Sequence, residues 1–216
     1  MCDPIDDPEL YIRVAEENNL KIRYVVDTHL HADHVSGARR LAEASGAEYV
    51  LHESADTQYA FHRMRDREVL DLGNVNIQVL HTPGHTPEHI SLLVTDKTRG
   101  PEPWFLLTGH TLMVGDVGRT ELASQPEVGA RQLFETIQRL KQFPDYLEVL
   151  PGAYAGSVCG RALSGKPVST IGFERRFNRA FQINAVDEFV AFMLESIPAP
   201  PPNGAAVRAL NQGRAQ

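Results

Sequence analysis

Cysteine is scarce: two residues, Cys2 and Cys159, in a chain of 216. Cys2 sits beside the terminus, so both read as free thiols. That excludes a disulfide-framed secreted fold and fits a reducing, cytoplasmic compartment. No stretch approaches the ~18 apolar residues of a membrane span. The opening MCDPIDDPEL is acidic and proline-bearing, without the basic start and apolar run of a signal peptide. Basic runs are also missing, and the formal net charge is −7. Nucleic acid and anionic membrane surfaces are therefore excluded as expected partners. One further absence matters most: none of the nine histidines lies beyond His110.

What is present reads as one domain with mixed helix and strand. Apolar spacing predicts a helix over 8–20 and another over 35–47, flanking a β-branched strand at 21–28. Strands are predicted at 48–53, at 67–82 in two pieces around Gly73-Asn74, and at 88–96, 102–109 and 146–152. Amphipathic helices are predicted at 126–143, 169–181 and 186–197. The segment PAPPPNG (198–204) reads as the start of a proline-rich tail, giving a domain at 1–197 and a tail at 198–216. The order suits an α/β layered sandwich better than a strictly alternating parallel sheet.

Three histidine clusters fall beside strand ends, where α/β folds place ligands. The first, DTHLHADHVSG (27–37), contains the pattern H-x-H-x-D-H: His29, His31, Asp33 and His34. On an extended segment alternate residues point the same way, so His29 and His31 can converge on one ion. Asp33 and His34, past the bend, can face a neighbouring position. The second, HTPGHTPEH (81–89), places Gly84 before His85, where a glycine lets the backbone turn and aim the imidazole. His85 is the candidate ligand there, and His81 and His89 read as structural. The third is His110, after a buried strand and a glycine, for which a ligand role is favoured over a packing one. His52 and His62 have no ligand neighbours.

The ordered set THLHADH, TPGHTPEH, LTGHTLMVGDVGRTEL and LPGAYAGSVCG resembles the metallo-β-lactamase superfamily. Within it, the chain resembles the persulfide dioxygenase branch, a relative of glyoxalase II. The resemblance implies the αβ/βα four-layer sandwich, with its metal site at one edge of two sheets. It implies His29, His31 and His85 as ligands of one ion in hydrolytic members, with Asp33 and His34 serving a second. In the dioxygenase branch the matching iron ligands are His29, His85 and His110. Three departures accompany it. The family's LTGD aspartate is His110 here, the late histidine aligns with Ala153, and Met1 matches a point after the family's first strands, so those strands are expected to be missing. Family members often form homodimers, and an exposed sheet edge is one place a partner chain could cover.

With the bridging carboxylate and the late imidazole gone, Asp33 and His34 alone are too few for a second divalent ion, since zinc sites usually take three or four protein ligands. One divalent metal is expected, Fe(II) by the resemblance or Zn(II). Its shell is His29, His85 and His110, with His31 as a competing or added ligand. The first functional expectation is oxidation of glutathione persulfide, or a related small persulfide, to sulfite. Arg119 would pair with a substrate carboxylate, and Tyr154 and Cys159 would line the pocket. The second is zinc-dependent hydrolysis of a thioester or ester, with Asp33 orienting or deprotonating water. The third is a degenerate, non-catalytic metal-binding module.

Overall fold

The computed structural model describes residues 1–161, 163–195, 197 and 199–214. Helix α1 (Pro8–Glu17) starts where the Asp7 side chain accepts a bond from Leu10 N and Pro8 fills the first turn. Strand β1 (Tyr24–Val26) leads into the first histidine loop, and α2 (Ala38–Ser45) follows it. Strands β2 (Glu48–His52) and β3 (His62–Met64) join β1 in a parallel sheet of order β1-β2-β3. A larger sheet is built from β4 (Val69–Leu72), β5 (Val75–His81), β6 (Ile90–Asp96) and β7 (Phe105–Gly109). After the small hairpin β8 (Leu112–Met113)–β9 (Asp116–Val117) and helix α3 (Pro126–Leu140), the sheet gains β10 (Glu148–Pro151) and β11 (Ser169–Thr170). Its order is β11-β10-β7-β6-β5-β4.

The layers follow from where apolar side chains meet. Val26, Val50 and Met64 of the small sheet pack against Leu70, Val79, Ile90 and Leu92 of the large one. Val25 covers the other face of the small sheet with Leu41 and Ala42 of α2. Leu106 and Val149 of the large sheet pack against Leu133 and Ile137 of α3. The same layer includes Phe181 of α5 (Arg179–Gln182) and Phe189 and Met193 of α6 (Val186–Leu194). Helix, sheet, sheet, helix is the four-layer sandwich that the motif resemblance implies. Each sheet thereby buries both faces, which removes water from strand interiors and leaves ligand chemistry to the loops at their ends.

Two segments differ from the periodicity. The helix predicted over 169–181 is β11, then α4 (Ile171–Phe177), then α5. Asn178 interrupts it with extended backbone, its side chain capping Ala180 N. Residues after 198 are not simply a tail: Gly204–Asn211 form α7, which docks on the first histidine loop. The proline-rich approach masks that helix, which is only eight residues long and docks through the polar side chains of Arg208 and Asn211. Ser196 and Pro198, at the predicted domain boundary, and residues 215–216 lie outside the described set. Among the described residues, no helix is long and apolar enough to cross a membrane.

Candidate metal centre

His29 and His31 follow β1, His85 lies in the turn between β5 and β6, and His110 follows β7. Packing of the two sheets brings these strand ends to one edge. Ring centroids of His29 lie 4.8 Å from both His85 and His110, and His85 and His110 are 5.2 Å apart. Each of the three offers a ring nitrogen within 4.8 Å of the others, and all three are buried.

Hydrogen bonds fix which nitrogen is free. Thr28 Oγ1 donates to Asp3 Oδ2 at 2.9 Å, so it accepts from His29 Nδ1, also at 2.9 Å. That leaves His29 Nε2 as a bare lone pair, buried and without a partner. His85 Nδ1 donates to Arg119 O at 2.7 Å, which leaves its Nε2 as the unprotonated nitrogen. His110 Nδ1 is buried and unpartnered. Outer hydrogen bonds of this kind orient imidazole ligands toward a metal. Burial lowers the pKa of all three, His29 well below its usual value, His85 to about 3 and His110 to about 4. They are neutral at physiological pH, the state in which imidazole binds metals. Ring nitrogens converging in a buried site fit a divalent ion, and softer transition metals suit three imidazoles better than magnesium or calcium.

His31 stands apart. Its ring is 4.1 Å from that of His29, but Nε2 lies 3.1 Å from Asp3 Oδ1. Burial opposes its protonation. The Asp3 carboxylate outweighs that and raises its pKa to about 10. Without a metal the Asp3 carboxylate favours the protonated ring, while Nδ1 lies 3.5 Å from Asp33 Oδ1, buried and without a hydrogen-bond partner. His34 Nδ1 and Asp33 Oδ1 are 3.1 Å apart, nearer the surface. His31, Asp33 and His34 form a second group, while Ala153, buried beside it, offers no ligand atom. Asp33 also shares a group with His110 and Cys159. Burial, followed by the Asp33 charge, pushes the Cys159 thiol up to about 12, so it is protonated.

The distinction between His31 and the other rings is measurable. Binding one divalent ion to His29, His85 and His110 near neutral pH is expected to displace almost no protons from the ligands, because all three are already neutral. Calorimetry in buffers of different ionisation enthalpy reads this directly. Release of about one proton per ion at about pH 6, below the titration of a metal-bound water, would place His31 in the shell.

Arg119 differs from its expected role. It is 3% exposed, paired with Glu121, and donates to Val158 O at 3.1 Å and Ala199 O at 2.9 Å. A substrate carboxylate would have to displace Glu121 from a buried guanidinium, so the residue holds loops together. Tyr154 is 59% exposed and lines a groove of about 440 Å³ with Asp33, Ala153 and Val158. Cys159 is 1% exposed and does not line that groove, contrary to its expected place on the pocket wall, because burial takes its thiol out of reach of the surface. His89 donates or accepts at Thr82 and Thr111 through Nδ1, and its Nε2 accepts from His110 N at 3.1 Å. It is fully engaged and supports the neighbouring loop. His52 and His81 stack together, 3.9 Å apart, away from this centre.

Residues 3–152 match the metallo-beta-lactamase superfamily. The chain belongs to this superfamily. It is similar to the metallo-beta-lactamase from Staphylococcus aureus subsp. aureus COL, at 38% identity and TM-score 0.92, over all of this chain and 65% of that one. It is also similar to ETHE1 from Myxococcus xanthus, at 29% identity and TM-score 0.80, over 99% of this chain and 87% of that one. Among sequences, a hydroxyacylglutathione hydrolase from Prochlorococcus marinus (strain MIT 9312) is 31% identical over 144 residues, 64% of this chain and 54% of that protein. The chain thus spans about half of that hydrolase and two thirds of the staphylococcal protein. These relatives support both the superfamily and the dioxygenase–glyoxalase II branch that the motifs resemble.

Several supporting residues escape the motif reading. Asp3 sits in a segment notable only for acidity, yet it anchors Thr28 and His31 from 25 and 28 residues away. Glu88, 3% exposed, accepts from Leu30 N at 3.0 Å. The faint signal for both is an acidic residue beside a proline, and only Glu88 also lies within a histidine cluster.

Proposed function

We propose that this protein is a mononuclear metalloenzyme that oxidises glutathione persulfide, or a related small persulfide, to sulfite. The observation that carries the reading is the convergence of bare, neutral nitrogens on His29, His85 and His110. These are the positions that match the iron ligands of the persulfide dioxygenase branch. The second group, His31, Asp33 and His34, gains no fourth ligand, because Ala153 supplies none. A structural likeness to ETHE1 over almost the whole chain supports the same branch.

When bound, ferrous iron would supply the redox chemistry that adds dioxygen to the terminal sulfur. Overall, persulfide, dioxygen and water give thiol, sulfite and protons. The chain's own residues do the rest. Thr28 and Arg119 O hold the His29 and His85 rings in their ligating tautomers. His31 is held by Asp3 at Nε2, which fixes the orientation of the first histidine loop beside the three rings. The groove under Tyr154 is wide enough for a peptide-like thiol, lying within the ~300–1,000 Å³ usual for small-molecule sites. Buried walls around the three rings keep bulk water away from the reacting sulfur.

The hydroxyacylglutathione hydrolase relative favours a second reading, hydrolysis of a glutathione thioester at zinc. In that case Asp33 would orient the attacking water. Its contacts with His31 and His34 offset the effect of burial and hold it well below the usual carboxylate range. Metal analysis of the isolated protein, combined with oxygen uptake on glutathione persulfide, separates the two. Near-stoichiometric iron with oxygen consumption and sulfite release is expected. Zinc with thioester turnover and no oxygen uptake would replace this reading with hydrolysis, and an empty site with neither activity would leave a binding module.

A further inference from the structure

Helix α7 contributes no histidine, yet two of its side chains end on the histidine loops. Asn211 is 8% exposed, and its Nδ2 donates to His31 O and to His34 O, both at 2.9 Å. Its Oδ1 accepts from Ser36 N at 2.9 Å. One amide thus satisfies three backbone groups that no strand partner reaches. Arg208 donates to Leu30 O and to both oxygens of Glu88, at 3.2 Å each. Glu88 in turn accepts from Leu30 N. Since Glu88 lies three residues after His85, Arg208 ties the first loop to the second. The helix itself is fixed from behind: Tyr59 donates its hydroxyl to Asn211 O, and Gln58 N donates to Gln212 O at 2.8 Å.

We propose that Arg208 and Asn211 are positioning residues, holding the peptide groups between Leu30 and Ser36 so that the rings of the first two loops meet at one point. The inference rests on the reading of His29, His85 and His110 as metal ligands. Its physical basis is that ligands must be held within about 0.5 Å and 10–20° of productive geometry. A loop of exposed carbonyls would sample wider geometries once its clamp is cut. Loss of a hydrogen-bond partner outside the ligand set typically costs 10–100-fold in metal affinity.

Cobalt(II) titration of the whole chain, read through the visible ligand-field bands, tests it. Asn211→Asp keeps shape but turns two donors into a repelling oxygen against His31 O and His34 O. Arg208→Ala cuts the tie to Glu88, and Arg208→Lys keeps the charge without the fork. Asn211→Asp and Arg208→Ala are expected to bind cobalt roughly 10- to 100-fold more weakly, with shifted bands, and Arg208→Lys to fall between. Circular dichroism identifies the folded variants, and Arg208→Lys decides if the other two do not fold. Variants that melt earlier without metal but bind cobalt with wild-type affinity and bands would overturn the proposal, leaving α7 a structural element only. A wild-type chain that binds no cobalt through these histidines would overturn the metal reading, and the clamp with it.

Discussion

Replacing His85 with alanine is expected to abolish stoichiometric metal binding and to lower any metal-dependent activity by at least ~100-fold, the upper end of what losing an outer partner costs. The variant keeps His29 and His110, but two protein ligands fall below the three or four that zinc-type sites use. Desalting followed by metal analysis measures the first effect, and oxygen uptake or thioester turnover the second. The fold should survive, since the lost contacts are one bond to Arg119 O and the packing of one ring. His62→Ala is the matched control. That ring lies at the surface beside Glu48 and is expected to change neither readout. Retention of a full equivalent of metal in His85→Ala would show that the three-imidazole cluster is not the site.

Gly118→Ala is expected to destabilise the protein by about 3 kcal/mol or more, beyond the ordinary overpacking range of ~1–3 kcal/mol. A Cβ at Gly118 would lie 2.1 Å from His110 O and 3.0 Å from His85 Nδ1. The first obstacle is backbone, which cannot rotate away. Relief requires opening the β8–β9 hairpin or moving His110, so metal affinity should fall along with stability. Chemical denaturation and cobalt titration check the two effects separately. Gly165→Ala, where an added Cβ meets nothing within 4 Å, is expected to change stability by no more than ~0.5 kcal/mol. Equal stability of Gly118→Ala and wild type would mean that the hairpin has slack the packing does not suggest.

These two positions differ in how visible they are in the sequence. His85 announces itself through Gly84: the backbone there has φ +139, and a Cβ would meet Leu133 Cβ at 2.5 Å, so only glycine permits the turn that aims the ring. Gly118 looks like one glycine among sixteen. Its constraint comes from His110 and His85, which approach it only after β7, β8 and β9 have packed. Arg119 shows the reverse error. Its position in VGDVGRTEL suggests a free guanidinium facing substrate, but Glu121 and two distant carbonyls occupy it. Arg161 takes the Asp116 carboxylate that the motif places nearest to Arg119.

The sequence by itself determined the layered α/β class, most strands and helices, and the residue types able to hold a metal, because periodicity and local ligand density are properties of neighbouring residues. It also shows that no histidine follows His110 within these 216 residues. Only the tertiary structure decided which nitrogens are bare. That depends on Asp3 reaching Thr28 and His31, and on Arg119 O reaching His85, contacts across 25 to 34 residues. It likewise placed α7, whose polar side chains have no pattern to read until the loop carbonyls they satisfy are beside them.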